Sequence, residues 1–238
     1  MSTITRDPSV SGDAGATPDP RLPARVRTVH TFARPLTPEE FMALPDPPEG
    51  GKLELVDGQV VQMPPVAGDH TDIADDLLTA LRAYVNEHGG EALGRVRQEL
   101  SYRLPLPASA RRPVQVREPD VSLVTAHALM ALPSGPVAPG QRLPRTFLAC
   151  APAIAAEVLS DHDYNDMPKF MEKVEDYLAA GVALVWVLSP RHDTVTVYDR
   201  AGGMASPTLL KRSAGDHLDG GDVLPSFSVP LTALFRPA

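Results

Sequence analysis

Glu157 stands inside Ile154-Ala-Ala-Glu-Val-Leu-Ser160, an apolar run with the length of a buried strand. An ionised carboxylate in such a place is costly unless a cation or a metal compensates it. Two more acids sit where acids are awkward: Glu54 within Lys52-Leu-Glu-Leu-Val56, and Asp120 directly after Pro119 at the start of a short apolar strand. Hard divalent cations such as Mg2+ take carboxylate oxygens and need only one or two of them beside a substrate phosphate. Two acids on adjacent strands meet that demand. A nearby lysine would then orient or deprotonate a water, or balance charge. Lys173, on the helix that follows Glu157, can face back toward it. Ordinary readings stand beside this one. An acid at a strand end commonly faces solvent, caps a helix or pairs with arginine. Lys173 has Glu172 and Asp176 close by for plain ion pairs. Ile154, Val158 and Leu159 around Glu157 argue for burial.

The elements that must position these groups follow from period and punctuation. Thr37-Pro38-Glu39-Glu40 gives an N-cap, a proline at the first helical position and a capping box. In KLELVDGQVVQM two alternating runs flank Asp57-Gly58, which predicts a hairpin. Ile73, Leu77, Leu78, Leu81 and Tyr84 predict a helix over 70–87, ended by Gly89-Gly90. RVRQELSYRL and VREPDVSLV read as strands, and AIAAEVLS as a buried one. Phe170, Val174, Tyr177 and Leu178 mark a helix over 165–180, closed by Gly181. ALVWVLSP is a second buried strand with TVTVYDR as its hairpin partner, and DVLPSFSVPLTALF ends the chain as a strand and a turn or small helix. Strands and helices alternate, so the fold class is α/β with a mixed sheet. Residues 1–34, rich in Pro, Ser, Thr, Gly and Asp, read as a disordered or loosely packed tail before one domain over 35–238.

Composition narrows the partners. The 238 residues carry a net charge of -8, unlike a typical basic nucleic-acid binder, so any such contact needs a local basic patch or metal ions. Arg95, Arg97, Arg103, Arg111, Arg112 and Arg117 along the middle strands are the best candidate strip. The single cysteine, Cys150, excludes an internal disulfide and lies in an apolar run, as an inert thiol would. No run reaches the roughly 18 apolar residues of a membrane span, and no signal core opens the chain, so a soluble cytoplasmic protein is expected. His70 at a helix start could reach the acids. His162 and Asp163 lie in a stretch, DHDYND, that reads as a turn, and Trp186 reads as core.

Taken in order, LELVDGQVVQMPP with His70, EPDVSLV, AAEVLS, KVEDYLAAGVALVWVLSP, TVTVYDR and DVLPSFSVPLTALF resemble the Uma-two family of restriction endonucleases, within the PD-(D/E)XK nuclease superfamily. The resemblance spans roughly residues 36–236. It implies a restriction-endonuclease-like core with flanking helices and an N-terminal hairpin. It implies that Asp120 and Glu157 bind Mg2+ or Mn2+, with the Val158 carbonyl as a further ligand. The superfamily's lysine two residues after the acid is Leu159 here, and the family pattern places the lysine on the next helix, at Lys173, with Lys169 as second choice. Glu54 resembles the acid of the family's hairpin, and Ser160 the serine after its EVxS strand, with a supporting hydrogen bond.

The expected function is a metal-dependent endonuclease acting on DNA phosphodiesters, with Asp120, Glu157 and Lys173 catalytic and a homodimer as its working form. The alternative is a nuclease-fold binding or assembly module without catalysis. A hydrolase using paired carboxylates on another phosphate ester or a glycoside is the third reading.

Overall fold

A computed structural model of the chain describes residues 3–5, 28–48, 50–66, 68–107, 110 and 114–236. In chain order the first half holds β1 (Thr3–Thr5), β2 (Thr28–Thr31), α1 (Pro38–Met42), β3 (Lys52–Val56), β4 (Gln59–Met63), α2 (Asp69–Glu87), β5 (Gly94–Gln98), β6 (Tyr102–Arg103), β7 (Gln115–Arg117), β8 (Val121–Thr125) and α3 (Ala126–Met130). The second half holds β9 (Ile154–Val158), α4 (Asp161–Asn165), α5 (Met167–Ala179), β10 (Leu184–Ser189), β11 (Thr194–Asp199), β12 (Thr208–Lys211), β13 (His217–Gly220), β14 (Leu224–Pro230) and α6 (Leu231–Leu234). Most of the tail expected over 1–34 lies outside the described residues. Within it, β2 pairs with β4 and β1 with β2.

Two six-stranded sheets dominate. The first, in the order β1-β2-β4-β3-β7-β6, is antiparallel throughout. The second, β12-β11-β10-β9-β8-β5, is mixed: β9 and β10 run parallel, joined by the α5 crossover such a pair requires. The chain is α/β, as expected. The predicted β3–β4 hairpin forms, and Asp57 (φ 51°) and Gly58 (φ 76°) both take the positive φ of its tight turn. A side chain at Gly58 would meet the Pro35 Cβ at 2.5 Å, so only glycine fits. The Thr37–Glu40 capping box is present at α1, and α2 starts and ends within a residue of its predicted bounds.

Two predicted strands turn out to be four, and that difference makes the site. RVRQELSYRL breaks at Glu99 (φ 48°): β5 joins the second sheet and β6 the first. VREPDVSLV breaks around Pro119, whose ring removes a ladder donor, so β7 belongs to the first sheet and β8 to the second. The sheets therefore meet along a seam through Glu99 and Asp120, where the Glu99 N–H donates to the Asp120 carbonyl at 3.3 Å. The DHDYND stretch is the short helix α4 and not a turn, because Ser160 and Asp163 form a capping box.

Period-two alternation sorts the second sheet onto its two flanking helices. Ile154, Ala156 and Val158 of β9 and Trp186 of β10 pack with Ile73, Leu77 and Leu81 of α2. Ala155, Val185 and Val187 pack with Phe170, Val174 and Tyr177 of α5. Glu157, one step from Val158, is thereby turned toward α5.

Candidate active site

Strand register brings the acids together. The β8–β9 ladder pairs Val121 with Ala156; one residue on, Asp120 stands opposite Glu157. The β3–β7 ladder pairs Leu55 with Val116; one residue on, Glu54 stands opposite Arg117. On α5, Phe170, Lys173 and Tyr177 share the buried stripe, which sets Lys173 over the sheet. Asp120, Glu157, Glu54, Lys52, Lys173 and His70 line one cavity of about 350 Å3 at the seam of the two sheets.

The carboxylates share their cations. Lys173 Nζ bridges Glu54 Oε1 at 2.8 Å and Glu157 Oε1 at 2.7 Å. The Tyr177 hydroxyl donates to the same Glu157 oxygen at 2.7 Å. Arg117 donates to Glu54 Oε2 at 2.9 Å and, from its other edge, to Asp176 Oδ2 at 2.5 Å. Lys52 donates to Asp120 Oδ1 at 2.6 Å and to the Glu118 carbonyl at 3.0 Å. The Val158 N–H donates to Asp120 Oδ2 at 2.8 Å, and His70 Nε2 lies 3.3 Å from that oxygen. The network sets four carboxylates, Glu54, Asp120, Glu157 and Asp176, against three fixed cations, Lys52, Lys173 and Arg117. Compensation is thus incomplete.

The titration of the acids follows from this imbalance. Burial alone would raise Asp120, but the Lys52 ammonium and then His70 outweigh it and hold the carboxyl well below its usual range. Burial likewise opposes ionisation of Glu54, and Lys173, Arg117 and Lys52 bring it down to about 2. Glu157 goes the other way. Burial, first, and the Asp120 and Glu54 charges push it up to about 7 against the pull of Lys173 and Lys52. Burial would lower both lysines, but Glu157 and Glu54 hold Lys173, and chiefly Asp120 holds Lys52, above the ordinary value.

The residues present fit a hard divalent cation. Asp120 is an ionised carboxylate already holding one cation, the Lys52 ammonium. Glu157 carries both its hydrogen bonds on Oε1, and Oε2 has none among the described residues. No group of three or more His, Cys, Asp or Glu side chains is poised as a metal site among the described residues. Two carboxylates would have to be completed by a main-chain carbonyl, water or substrate phosphate, which is how Mg2+ is commonly held.

The remaining candidates sit at the margin. Ser160 lines the cavity, and its hydroxyl bonds Asp163 at 2.6 Å as a local cap. Lys169 also lines it, 38% exposed, with its ammonium 3.3 Å from Asp166. Among the described residues the arginine strip does not gather on one exposed face. Arg117 is buried in the network above, and Arg95 is buried against the carbonyls of Gln141 and Ala138. Arg97 is partly buried, Arg103 pairs with Glu39, and Arg111 and Arg112 lie outside the described residues. Cys150 is half-buried, and burial pushes its thiol up to about 11, away from nucleophilic use. Sequence reasoning missed Lys52 and Arg117 as members of the site. Alternation carried a signal for Lys52, which shares a strand face with Glu54.

The family model for Uma2, described as "Putative restriction endonuclease", matches residues 38–233. Among solved structures, the chain is similar to the crystal structure of a "putative nuclease belonging to DUF820" from Anabaena variabilis ATCC 29413, with a TM-score of 0.64 and 19% identity over 84% of this chain and 98% of that one. At that identity the likeness speaks for the fold. No curated protein matches the chain.

Proposed function

The chain belongs to the Uma2 restriction-endonuclease family, and from that premise we propose that it is a metal-dependent endonuclease hydrolysing phosphodiester bonds, with DNA as substrate. The observation that carries the reading is the meeting of Asp120 and Glu157 across neighbouring strands, in a cavity that also holds Lys173. Asp120 and Glu157 would hold Mg2+ or Mn2+, which when bound supplies charge neutralisation at the reacting phosphate. Asp120 is kept ionised by Lys52 while no metal is present, and the Val158 N–H orients its carboxylate. Glu157 gives up its proton to take part. Lys173 and Tyr177 fix its carboxylate, and Lys173 holds Glu54 in register beside it. Cutting both strands of a duplex suits two symmetric sites, and so a homodimer.

A second reading, a nuclease-fold module without catalysis, draws on one observation: Lys173 already pairs with both Glu54 and Glu157 without any metal. One experiment separates the two. Purified protein is incubated with supercoiled plasmid in EDTA, Mg2+ or Mn2+, beside Glu157→Gln and Asp120→Asn. Nicking that needs the metal and is lost in both variants supports the endonuclease. A folded wild type that binds neither ion supports the module.

A further inference from the structure

Three lysines line the cavity, and the two paired with Glu54, Asp120 and Glu157, Lys52 and Lys173, are not equivalent. Lys173 is committed to two carboxylates and is 7% exposed. Lys52 reaches over from the first sheet, holds one carboxylate, Asp120, and is 17% exposed. Its ammonium has three donors, of which the described contacts use two, on Asp120 Oδ1 and the Glu118 carbonyl. The other Asp120 oxygen is taken by the Val158 N–H and lies beside His70. Lys52 therefore covers the Asp120 oxygen that carries no main-chain hydrogen bond, the one more available to an incoming cation. A divalent cation and an ammonium on the same oxygen repel each other. The flexible four-carbon stem of lysine lets its charge move a few ångströms without moving the strand.

We propose that Lys52 is a phosphate-contacting residue: it holds Asp120 Oδ1 while no metal is present, and passes to the non-bridging oxygens of the scissile phosphate when a divalent cation takes that oxygen. This rests on the endonuclease reading above. It divides the labour of the two lysines. Lys52 faces substrate, whereas Lys173 is a positioning residue for Glu54 and Glu157. It also makes Lys52 a built-in competitor of the metal.

The test measures Mn2+ binding by calorimetry, and plasmid nicking at saturating Mn2+, for the wild type, Lys52→Met and Lys52→Arg. Removing the competitor should tighten Mn2+ binding by about 10-fold, equivalent to about 1.4 kcal/mol. The same variant should nick about 10–100-fold more slowly, having lost one charge at the phosphate. Lys52→Arg keeps the charge and should bind Mn2+ within a few fold of wild type. Should Lys52→Met fail to fold by circular dichroism, Lys52→Gln carries the same two expectations. A wild type that binds and nicks, with a folded Lys52→Met that binds Mn2+ no tighter or nicks at the wild-type rate, overturns the Lys52 assignment and leaves the endonuclease reading standing. A wild type that binds no Mn2+ overturns both.

Discussion

Arg117 and Glu54 face each other across β7 and β3, 2.9 Å apart, with side chains 4% and 2% exposed. The pair comes from strands far apart in sequence and ties the hairpin to the seam where Asp120 leaves the first sheet. Arg117→Met would leave Glu54 with Lys173 and the Glu118 N–H, and Asp176 without its guanidinium. Removing one partner of a buried pair typically costs about 3–5 kcal/mol, so urea denaturation should show a loss of that order. Arg103→Met, breaking the exposed pair with Glu39, should cost under about 1 kcal/mol. Equal effects from the two substitutions would mean that the buried network does not anchor the seam.

Much of this architecture could be read locally, and the part that could not has a physical reason. Capping residues and Asp57-Gly58 act within a few residues, so α1 and the β3–β4 hairpin follow from short words. Glu157 announced itself because an acid inside an apolar strand demands compensation, and Lys173 lies within one crossover of it. Arg117 read as part of an exposed strip for nucleic-acid contact. Its burial depends on a β3–β7 register that no local pattern encodes. The same holds for β7 and β8. Their residues read as one strand, and only the tertiary arrangement assigns them to different sheets. Lys52 at the start of a strand resembles any surface lysine until Asp120 is brought to it.

Charge at the two acids should govern metal binding. Glu157→Gln and Asp120→Asn keep shape and remove one carboxylate each. Loss of an outer-shell partner alone typically weakens a metal by about 10–100-fold, so each of these should weaken Mn2+ by at least that, read by calorimetry. Unfolding should not accompany the loss in Glu157→Gln, since its amide can still accept from Tyr177 and Lys173. Retained wild-type affinity in both variants would place the metal elsewhere.

The raised Glu157 sets a pH dependence of definite sign. Its ordinary value is 4.5 and its value in the fold about 7, so the folded chain holds this proton more tightly than the unfolded chain. The contribution to stability is full below about 4.5 and is lost as pH rises through about 7. Glu118, pushed by burial up to about 7, adds a change of the same sign. Glu54 and Asp120, both depressed, contribute above their ordinary values and lose that contribution only in acid. Metal-free protein should therefore show a falling thermal midpoint between pH 4.5 and 7, with a shallower fall in Glu157→Gln. Mn2+ affinity should rise over the same interval, because binding must displace the Glu157 proton. A flat affinity profile across pH 6–8 would contradict the assignment of Glu157 as a ligand.

Leu159 stands two residues after Glu157, and the fold shows why a lysine there would not help this chain. Leu159 is 6% exposed and packs in the apolar cluster that includes Leu148, Phe170 and Val187. The cation beside Glu157 is Lys173, whose ammonium reaches it from α5 while its helix keeps Phe170 and Val174 in that cluster. Leu159→Lys would remove packing and force an ammonium toward Glu157, where Lys173 already sits. Burying an uncompensated ion carries an effective penalty of several kcal/mol, so the substitution should cost at least about 3 kcal/mol by chemical denaturation. Lys173→Met should abolish nicking, and adding Leu159→Lys to it should not restore the activity. Rescue in the double variant would show that the cation's charge, and not its position on α5, is what the site requires.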